Sequence, residues 1–99
     1  MKENKNEFGE EISDEEFIDF VRRVRKLSDK KIDEFWNLCG YIYAKDNYPH
    51  REEKFKAMAQ QYIDKIRENL DSAKIVVGNL WSETKTEEIK KNLSIVENS

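Results

Sequence analysis

The chain has 99 residues, of which 37% are hydrophobic and 39% are charged, and its formal net charge is −3. This length fits one domain with little room for an enclosed catalytic cavity, and the acidic balance excludes a general attraction to nucleic acid. Three glycines and one proline are too few for a compact β protein, and 11% aromatic residues are too many for a disordered chain, so a folded helical domain is expected.

Residues 1–11 are polar and acidic, which predicts a flexible leader ahead of a single helical-bundle domain over residues 12–97. The first helix is predicted for residues 14–27, because Ser13 and Glu16 have the spacing of a capping box and acidic residues precede basic ones along the helix. Its apolar residues recur at the spacing of one buried stripe, which consists of Phe17, Phe20, Val21, Val24 and Leu27.

The second helix is predicted to begin after Ser28, which is a suitable N-cap. Its apolar stripe makes it the most hydrophobic helix of the chain and consists of Ile32, Phe35, Trp36, Cys39, Ile42 and Tyr43. Gly40 is unfavourable inside a helix by about 1 kcal/mol relative to alanine, so a close helix–helix approach is expected there. A turn over residues 46–49 follows, and Pro49 suits the first position of another helix.

From Phe55 to Trp81 the apolar residues keep one helical register. Either one helix spans about 50–81, with a length of roughly 45 Å, or it breaks at Asp71–Ser72. We favour the break, because both residues are good caps and so long a helix would require a partner chain along it. The segment Ile75–Val77 is expected to be helical, since a lone strand would have no ladder partner.

A short final helix is predicted from Thr84 and Glu87, which have the spacing of a second capping box, and from the apolar positions Ile89, Leu93 and Val96. The whole pattern predicts an all-α fold, a small bundle of four or five mostly antiparallel helices.

Residues with the chemistry of an active site are few. His50 and Glu53 have a spacing that binds metal on a helix, but no second histidine supports them, and a solvated helix start explains the pair. Cys39 lies on an apolar stripe, where a cysteine is an inert small hydrophobe. With no phosphate loop, nucleophile motif or cysteine pair, we expect no enzyme, no catalytic residue, no cofactor and no metal.

The cellular compartment is predicted from two kinds of segment that the sequence lacks. No segment approaches the roughly 18 apolar residues of a membrane span, and the N-terminus lacks the apolar stretch of a signal peptide. We therefore expect a cytoplasmic protein without membrane contact. The abundance of Lys, Ile and Asn suits a bacterial or phage genome.

The first candidate binding surface is a basic cluster over residues 21–31, in which six basic residues accompany one acid, Asp29. The six are Arg22, Arg23, Arg25, Lys26, Lys30 and Lys31. Helix-dipole complementation, with pairs such as Asp19–Arg23, is the ordinary explanation. The alternatives are a docking patch for an acidic protein and, less favoured because no aromatic residue interleaves the cations, a nucleic-acid contact.

The second candidate surface is segment 73–81, which is apolar on nearly all sides if it is helical. Such a helix is buried all round, or its second face meets a partner, including a second copy of the chain. The candidate contact residues are Ile75, Val76 and Trp81, and Tyr41 and Tyr48 lie off the main stripes and extend the set.

These observations predict a non-enzymatic protein–protein interaction module, such as a small inhibitor, an immunity or anti-defence protein or a regulator of bacterial or phage origin. The analogy rests on size and class alone. Its partner is another protein, and a homodimer is also possible. The alternative is a small nucleic-acid-binding regulator that uses the basic cluster of residues 22–31.

Overall fold

The computed structural model describes the backbone of residues 4–41 and 52–99 and the side chains of residues 5–39 and 60–99. A two-stranded antiparallel hairpin, β1 (Asn4–Lys5) and β2 (Glu11–Ile12), precedes the helices. The helices are α1 (Asp14–Lys26), α2 (Asp29–Trp36), α3 (Glu52–Glu68), α4 (Leu70–Ser82) and α5 (Thr86–Glu97), and a π-helical turn at Asn37–Tyr41 continues α2. The predicted all-α bundle of four or five helices is confirmed.

The first two helices begin at the predicted caps. The Ser13 hydroxyl accepts a hydrogen bond from the Glu16 amide at 3.2 Å, and the Ser28 hydroxyl accepts one from the Lys31 amide at 3.3 Å. Each serine thereby satisfies one of the amides that a helix start leaves without a partner. The predicted turn at 46–49 lies outside the described residues.

The long apolar stripe is divided at Asn69, two residues before the predicted break. Asn69 is extended, with φ −166°, and its side-chain oxygen accepts from the Ser72 amide at 2.8 Å. The chain reverses there, and α4 packs back against α3. In a single long helix the apolar stripe would lie exposed to water. The break lets the apolar faces of α3 and α4 pack against each other and join one core. Segment Ile75–Val77 lies within α4, as predicted.

Contacts between helices show their relative directions. Trp36 stacks on Tyr62 with ring centroids 5.0 Å apart, and Asp29 pairs with Arg67 at 3.1 Å, so α2 and α3 run antiparallel. Helix α1 packs against α4, and α2 packs against α5. The largest fully buried side chains come from all five helices and are Phe35, Ile32, Ile66, Ile89, Leu93, Val21, Val24, Val77 and Val96.

The N-terminal segment differs from the flexible leader predicted for residues 1–11, because residues 4–12 form the hairpin and dock on the bundle. Asn6 is buried, and its side-chain oxygen accepts from the Phe8 and Glu10 amides at 3.0 and 3.1 Å. Its side-chain nitrogen donates to the Thr84 carbonyl at 2.9 Å. Gly9, with φ +77°, supplies the left-handed backbone that closes the turn.

The start of α5 also differs from the prediction. The Thr84 hydroxyl does not cap α5; it donates to the Leu80 carbonyl at 2.8 Å, so the predicted Thr84–Glu87 capping box is wrong. The hairpin supplies a replacement, since the Glu10 carboxylate accepts from the Thr86 amide at 3.2 Å. A carboxylate is well placed at the positive end of the helix dipole, so the N-terminal segment functions as the cap of α5.

Candidate functional site

Segment 73–81, the second predicted surface, is mostly part of the core. Val76 and Trp81 are buried, and the Trp81 ring centroid lies 6.5 Å from that of Phe17. The Trp81 indole nitrogen donates to the Thr86 hydroxyl at 2.8 Å. The expected partner contacts of Val76 and Trp81 are therefore corrected to internal packing, because α3 and α1 both cover α4. Ile75 alone of the three candidates is exposed, at 65%.

Ile75 lies beside an open groove between α4 and α1, called here the α4 groove, of about 510 Å³. Its lining residues are Phe17, Asp71, Lys74, Ile75, Gly78 and Asn79. Gly78 lines this groove, and a Cβ at this position would lie 3.4 Å from the Phe17 ring. The absence of a side chain at Gly78 thus lets the Phe17 ring pack close to the backbone of α4.

A second groove lies between the end of α2 and α5, has a volume of about 280 Å³ and is called here the α2–α5 groove. Its lining residues are Glu34, Asn37, Leu38, Ile95, Val96 and Ser99. Leu38 is 42% exposed and Ile95 is 47% exposed, while Val96 is buried. Two of the four large hydrophobic residues that are exposed in the described part of the chain therefore share this groove.

Asn92 fixes one wall of the α2–α5 groove. This buried amide donates to the Leu38 carbonyl at 3.2 Å and to the Cys39 sulfur at 3.4 Å. It thereby satisfies a carbonyl of the π-helical turn that carries Leu38. The sequence pattern does not identify Asn92, because the role of a polar residue on the apolar stripe of α5 is recognisable only once its acceptors in the π-helical turn are known.

The Cys39 thiol, on the inner side of this turn, is partly buried. Burial raises the pKa of Cys39 to about 11, the Asn92 hydrogen bond opposes this rise, and the charge of Glu88 adds to it. We expect alkylation of Cys39 by iodoacetamide at pH 8 to be roughly 100-fold slower in the folded protein than in urea, because the thiolate is the nucleophile. Mass spectrometry of timed samples measures both rates, and equal rates would contradict the burial.

The basic cluster, the first predicted surface, is divided by internal contacts. Arg23 forms a two-bond pair with Glu97 of α5: its Nε donates at 3.0 Å to one carboxylate oxygen, and a terminal nitrogen donates to the other. Asp19 lies 3.9 Å from the same guanidinium. Arg23 therefore connects α1 to the end of α5, and its guanidinium group is not free to bind a partner protein.

The pair predicts a pH-dependent contribution to stability. The hydrogen bond from Arg23 lowers the pKa of Glu97 below its ordinary value of 4.5, so the stabilisation is present above that value and is lost as the pH falls through the lowered pKa. We expect Glu97→Gln to cost about 1 kcal/mol at pH 7 and to be indistinguishable from wild type near pH 2. Urea unfolding at several pH values measures this difference. Asp19→Asn is the control, and a cost that is independent of pH would contradict the assignment.

Arg25 and Arg67 bond to the C-terminal ends of each other's helices. Arg25 donates to the Ile66 carbonyl near the end of α3 at 3.1 Å. Arg67 donates in return to the carbonyls of Arg25 and Leu27 at the end of α1, and to the Asp29 carboxylate. Cations at helix C-termini complement the dipole and satisfy carbonyls that lack partners. Arg25 is therefore structural, as the dipole interpretation of the cluster predicts.

The remaining cations fall into two groups. The Lys31 ammonium donates to the Ser99 carbonyl at 3.1 Å. Arg22, Lys26 and Lys30 are exposed and make no ion pair with any residue in the described part of the chain. The sequence predicts a continuous cluster of six cations. In the structure, three of the six are free to contact a partner.

The other predicted sites are tested only where the structure describes their residues. The described residues contain no group of three His, Cys, Asp or Glu side chains that could hold a metal ion. His50 and Tyr48 lie outside the described residues. Tyr41 ends the π-helical turn, and its side chain is outside the described set. Within the part of the chain that is described, no helix has both the length and the apolar character needed to cross a membrane.

The chain was compared with protein families, curated proteins and solved structures. No protein-family model, no curated protein and no solved structure matches this chain.

Proposed function

We propose that this chain is a non-enzymatic cytosolic module that binds another protein through the α2–α5 groove and thereby inhibits or regulates it. A small inhibitor, immunity or anti-defence protein or regulator of bacterial or phage origin is the class that fits best. The observation that carries the proposal is the pairing of two exposed aliphatic side chains, Leu38 and Ile95, in one groove.

The apolar lining of this groove is better suited to contact with a protein segment than to contact with water. Exposed aliphatic residues scattered singly are normal, whereas two that line one concave site provide the apolar centre on which protein interfaces depend. The Asn92 hydrogen bond holds the Leu38 backbone in place, so the groove is formed before a partner arrives. A preformed site loses less conformational entropy on binding.

The lining of the groove indicates the chemistry of the partner. Leu38, Ile95 and Val96 form the apolar surface, and Glu34 is the one charged residue among the lining residues. The matching segment presents one or two aliphatic or aromatic side chains to the groove and a Lys or Arg to Glu34. An amphipathic helix carries such residues at i, i+3 and i+4 on one face.

The test compares two variants of one helix. Ile95→Asp places a charge in the groove, and Ser94→Asp adds the same charge at an exposed position that does not line it. Each tagged protein is incubated with an extract of the cells that make the natural protein, and bound proteins are quantified by mass spectrometry. We expect a partner that wild type and Ser94→Asp retain and that Ile95→Asp loses at least tenfold.

Purified partner and titration calorimetry then measure the affinity of each variant. Equal binding of the partner by Ile95→Asp and wild type, with both proteins folded by circular dichroism, would contradict the proposed groove. Equal loss in Ser94→Asp would also contradict it, because the effect would then follow added charge instead of position.

The nucleic-acid alternative depends on the cations that are not engaged internally. Within the basic cluster, Arg22, Lys26 and Lys30 are the three available, and each phosphate contact contributes to a steep salt dependence. With so few cations and a net charge of −3, we expect no gel shift of duplex DNA or single-stranded RNA in 50 mM salt at 10 µM protein. A shift that Arg22→Ala and Lys26→Ala abolish would revive the alternative.

A further inference from the structure

We propose that the α2–α5 groove is a binding site for an arginine side chain of the partner protein, whose guanidinium group binds Glu34 and Asn37 while its aliphatic stem lies against the exposed aliphatic residues of the groove. This inference rests on the proposed function, because it names the side chain that the partner inserts into the same groove. Its basis is that a carboxylate, a side-chain amide and apolar surface line one concave site.

Glu34 has no cation of its own, although it lies partly buried in the wall of the groove. Lys31, three residues earlier, donates to the Ser99 carbonyl instead. Lys30, four residues earlier on the same row of α2, makes no ion pair with Glu34 or with any other residue that the structure describes. Because a partly buried charge is unfavourable without a partner, a cation supplied by another protein stabilises the Glu34 carboxylate.

Asn37 supplies a second polar contact. It follows Glu34 by three residues, so the two lie on the same side of the helix, and both line the groove. Its side-chain amide makes no hydrogen bond with any residue in the described part of the chain, whereas the amides of Asn6 and Asn92 are both engaged. The Asn37 oxygen is therefore available as an acceptor close to the Glu34 carboxylate.

The apolar part of the groove suits the stem of an arginine. Leu38 and Ile95 are both largely exposed, and an arginine covers such surface with its methylene groups while its charged end stays at the polar rim. The groove has a volume of about 280 Å³. Pockets for whole small molecules have volumes of roughly 300–1,000 Å³, so one long side chain matches this groove better than a cofactor does.

The two polar acceptors favour arginine over lysine. A guanidinium group is planar and carries its N–H donors in a fixed fork, so it donates to two neighbouring acceptors at once. A lysine ammonium is a compact charge that is more strongly hydrated, so it gives up more contact with water when it binds. Citrulline has the shape of arginine but no charge, and it therefore lacks the attraction to Glu34.

Synthetic helical peptides test the inference. Each blocked, alanine-based peptide carries two leucines and one variable residue on one face, and the variable residue is arginine, lysine or citrulline. NMR titration to about 1 mM peptide follows the Asn37 side-chain amide and the backbone amides of Leu38 and Ile95, which detects binding weaker than micromolar. We expect wild type to bind the arginine peptide at least fivefold more tightly than the lysine peptide and at least tenfold more tightly than the citrulline peptide.

Variants of α2 assign the contact to its residues. Glu34→Gln is expected to bind the arginine and citrulline peptides equally, because it keeps the size of the side chain and loses its charge. Glu34→Arg is expected to prefer a peptide with glutamate at the variable position. Asn37→Ala is expected to weaken the arginine peptide severalfold and to change the lysine peptide less. The control is Asp33→Asn, which removes the same charge from a residue that does not line the groove and should keep the wild-type preference.

Equal binding of the arginine and citrulline peptides by wild type would overturn the arginine site, and so would an unchanged preference in Glu34→Gln. No binding of the arginine peptide in this concentration range would overturn it as well. If Ile95→Asp lost all three peptides while wild type bound them equally, the apolar groove of the proposed function would still stand. The two failures are distinguishable, because the partner captured from the cell extract depends on Ile95 whichever side chain it inserts.

Discussion

Replacement of Trp81 by alanine is expected to lower the free energy of unfolding by about 3–5 kcal/mol, the range for a large buried aromatic residue. The indole is 4% exposed, lies against Phe17 and donates its N–H to the Thr86 hydroxyl. Alanine leaves a cavity between α1 and α4 and removes the link to the start of α5. Urea unfolding followed by circular dichroism measures the change.

Two controls separate core packing from a role in binding. Trp81→Phe keeps most of the volume but loses the hydrogen bond, so we expect a cost of about 1–2 kcal/mol. Ile75→Ala, on the same helix but exposed, is expected to change stability by less than about 0.5 kcal/mol. If Trp81→Ala left stability unchanged, Trp81 would be a surface residue and the internal packing of α4 would be wrong.

Replacement of Asn6 by alanine is expected to cost about 2–3 kcal/mol, because its buried side chain makes four hydrogen bonds, two as acceptor and two as donor. The variant leaves the amides of Phe8 and Glu10 and the carbonyl of Thr84 without partners. The hairpin then no longer holds the Glu10 carboxylate at the start of α5. The same unfolding experiment measures the loss.

The matched control is Lys5→Ala, one residue earlier. Lys5 pairs with Glu11 at 3.4 Å, but both side chains are at least half exposed, so a change below about 0.5 kcal/mol is expected. Asn6→Asp keeps an accepting oxygen but loses the donor to Thr84 and places a second carboxylate beside that of Glu10, so it should be less stable than wild type. A freely moving leader would make all three substitutions neutral, and that result would contradict the docked hairpin.

The sequence predicts the helices well where the signals are local. Ser13 and Ser28 act on amides three residues away, so the starts of α1 and α2 are recognisable from the chain alone. The apolar stripes are equally local and correctly predict α3, α4 and most of the core among the residues whose side chains are described. The break between α3 and α4 was predicted two residues late because Asp71, Ser72 and Asn69 are all good caps, and tertiary packing selects among them.

Features that depend on distant parts of the chain could not be predicted. Thr84 and Glu87 have the spacing of a capping box, but the carboxylate that caps α5 belongs to Glu10. Likewise, the basic cluster looks continuous in the sequence, whereas Arg25 is used at the end of α3 and Arg23 is used at Glu97. The number of charges in a stretch of sequence does not show which carbonyl and carboxylate groups lie next to each cation in the folded chain.

The candidate site was only partly predictable for the same reason. Ile75 was identified because it lies off the stripe of an apolar helix. Leu38 and Ile95 each look like one ordinary exposed aliphatic residue, and the groove exists only because α2 and α5 pack side by side. Trp81 was an ambiguous candidate, since aromatic residues serve both cores and interfaces, and only its burial decides between them.

The hydrogen bond between Asn6 and Thr84 joins residues 78 positions apart. Closing so long a loop costs entropy that local helix formation does not, so we expect the hairpin to dock late in folding, after the helices that receive it have formed. Release of the hairpin also uncaps α5, which makes the N-terminal segment and the start of α5 one cooperative opening unit. We therefore expect a fusion ahead of residue 4 that displaces the hairpin to weaken the start of a helix that begins more than eighty residues later.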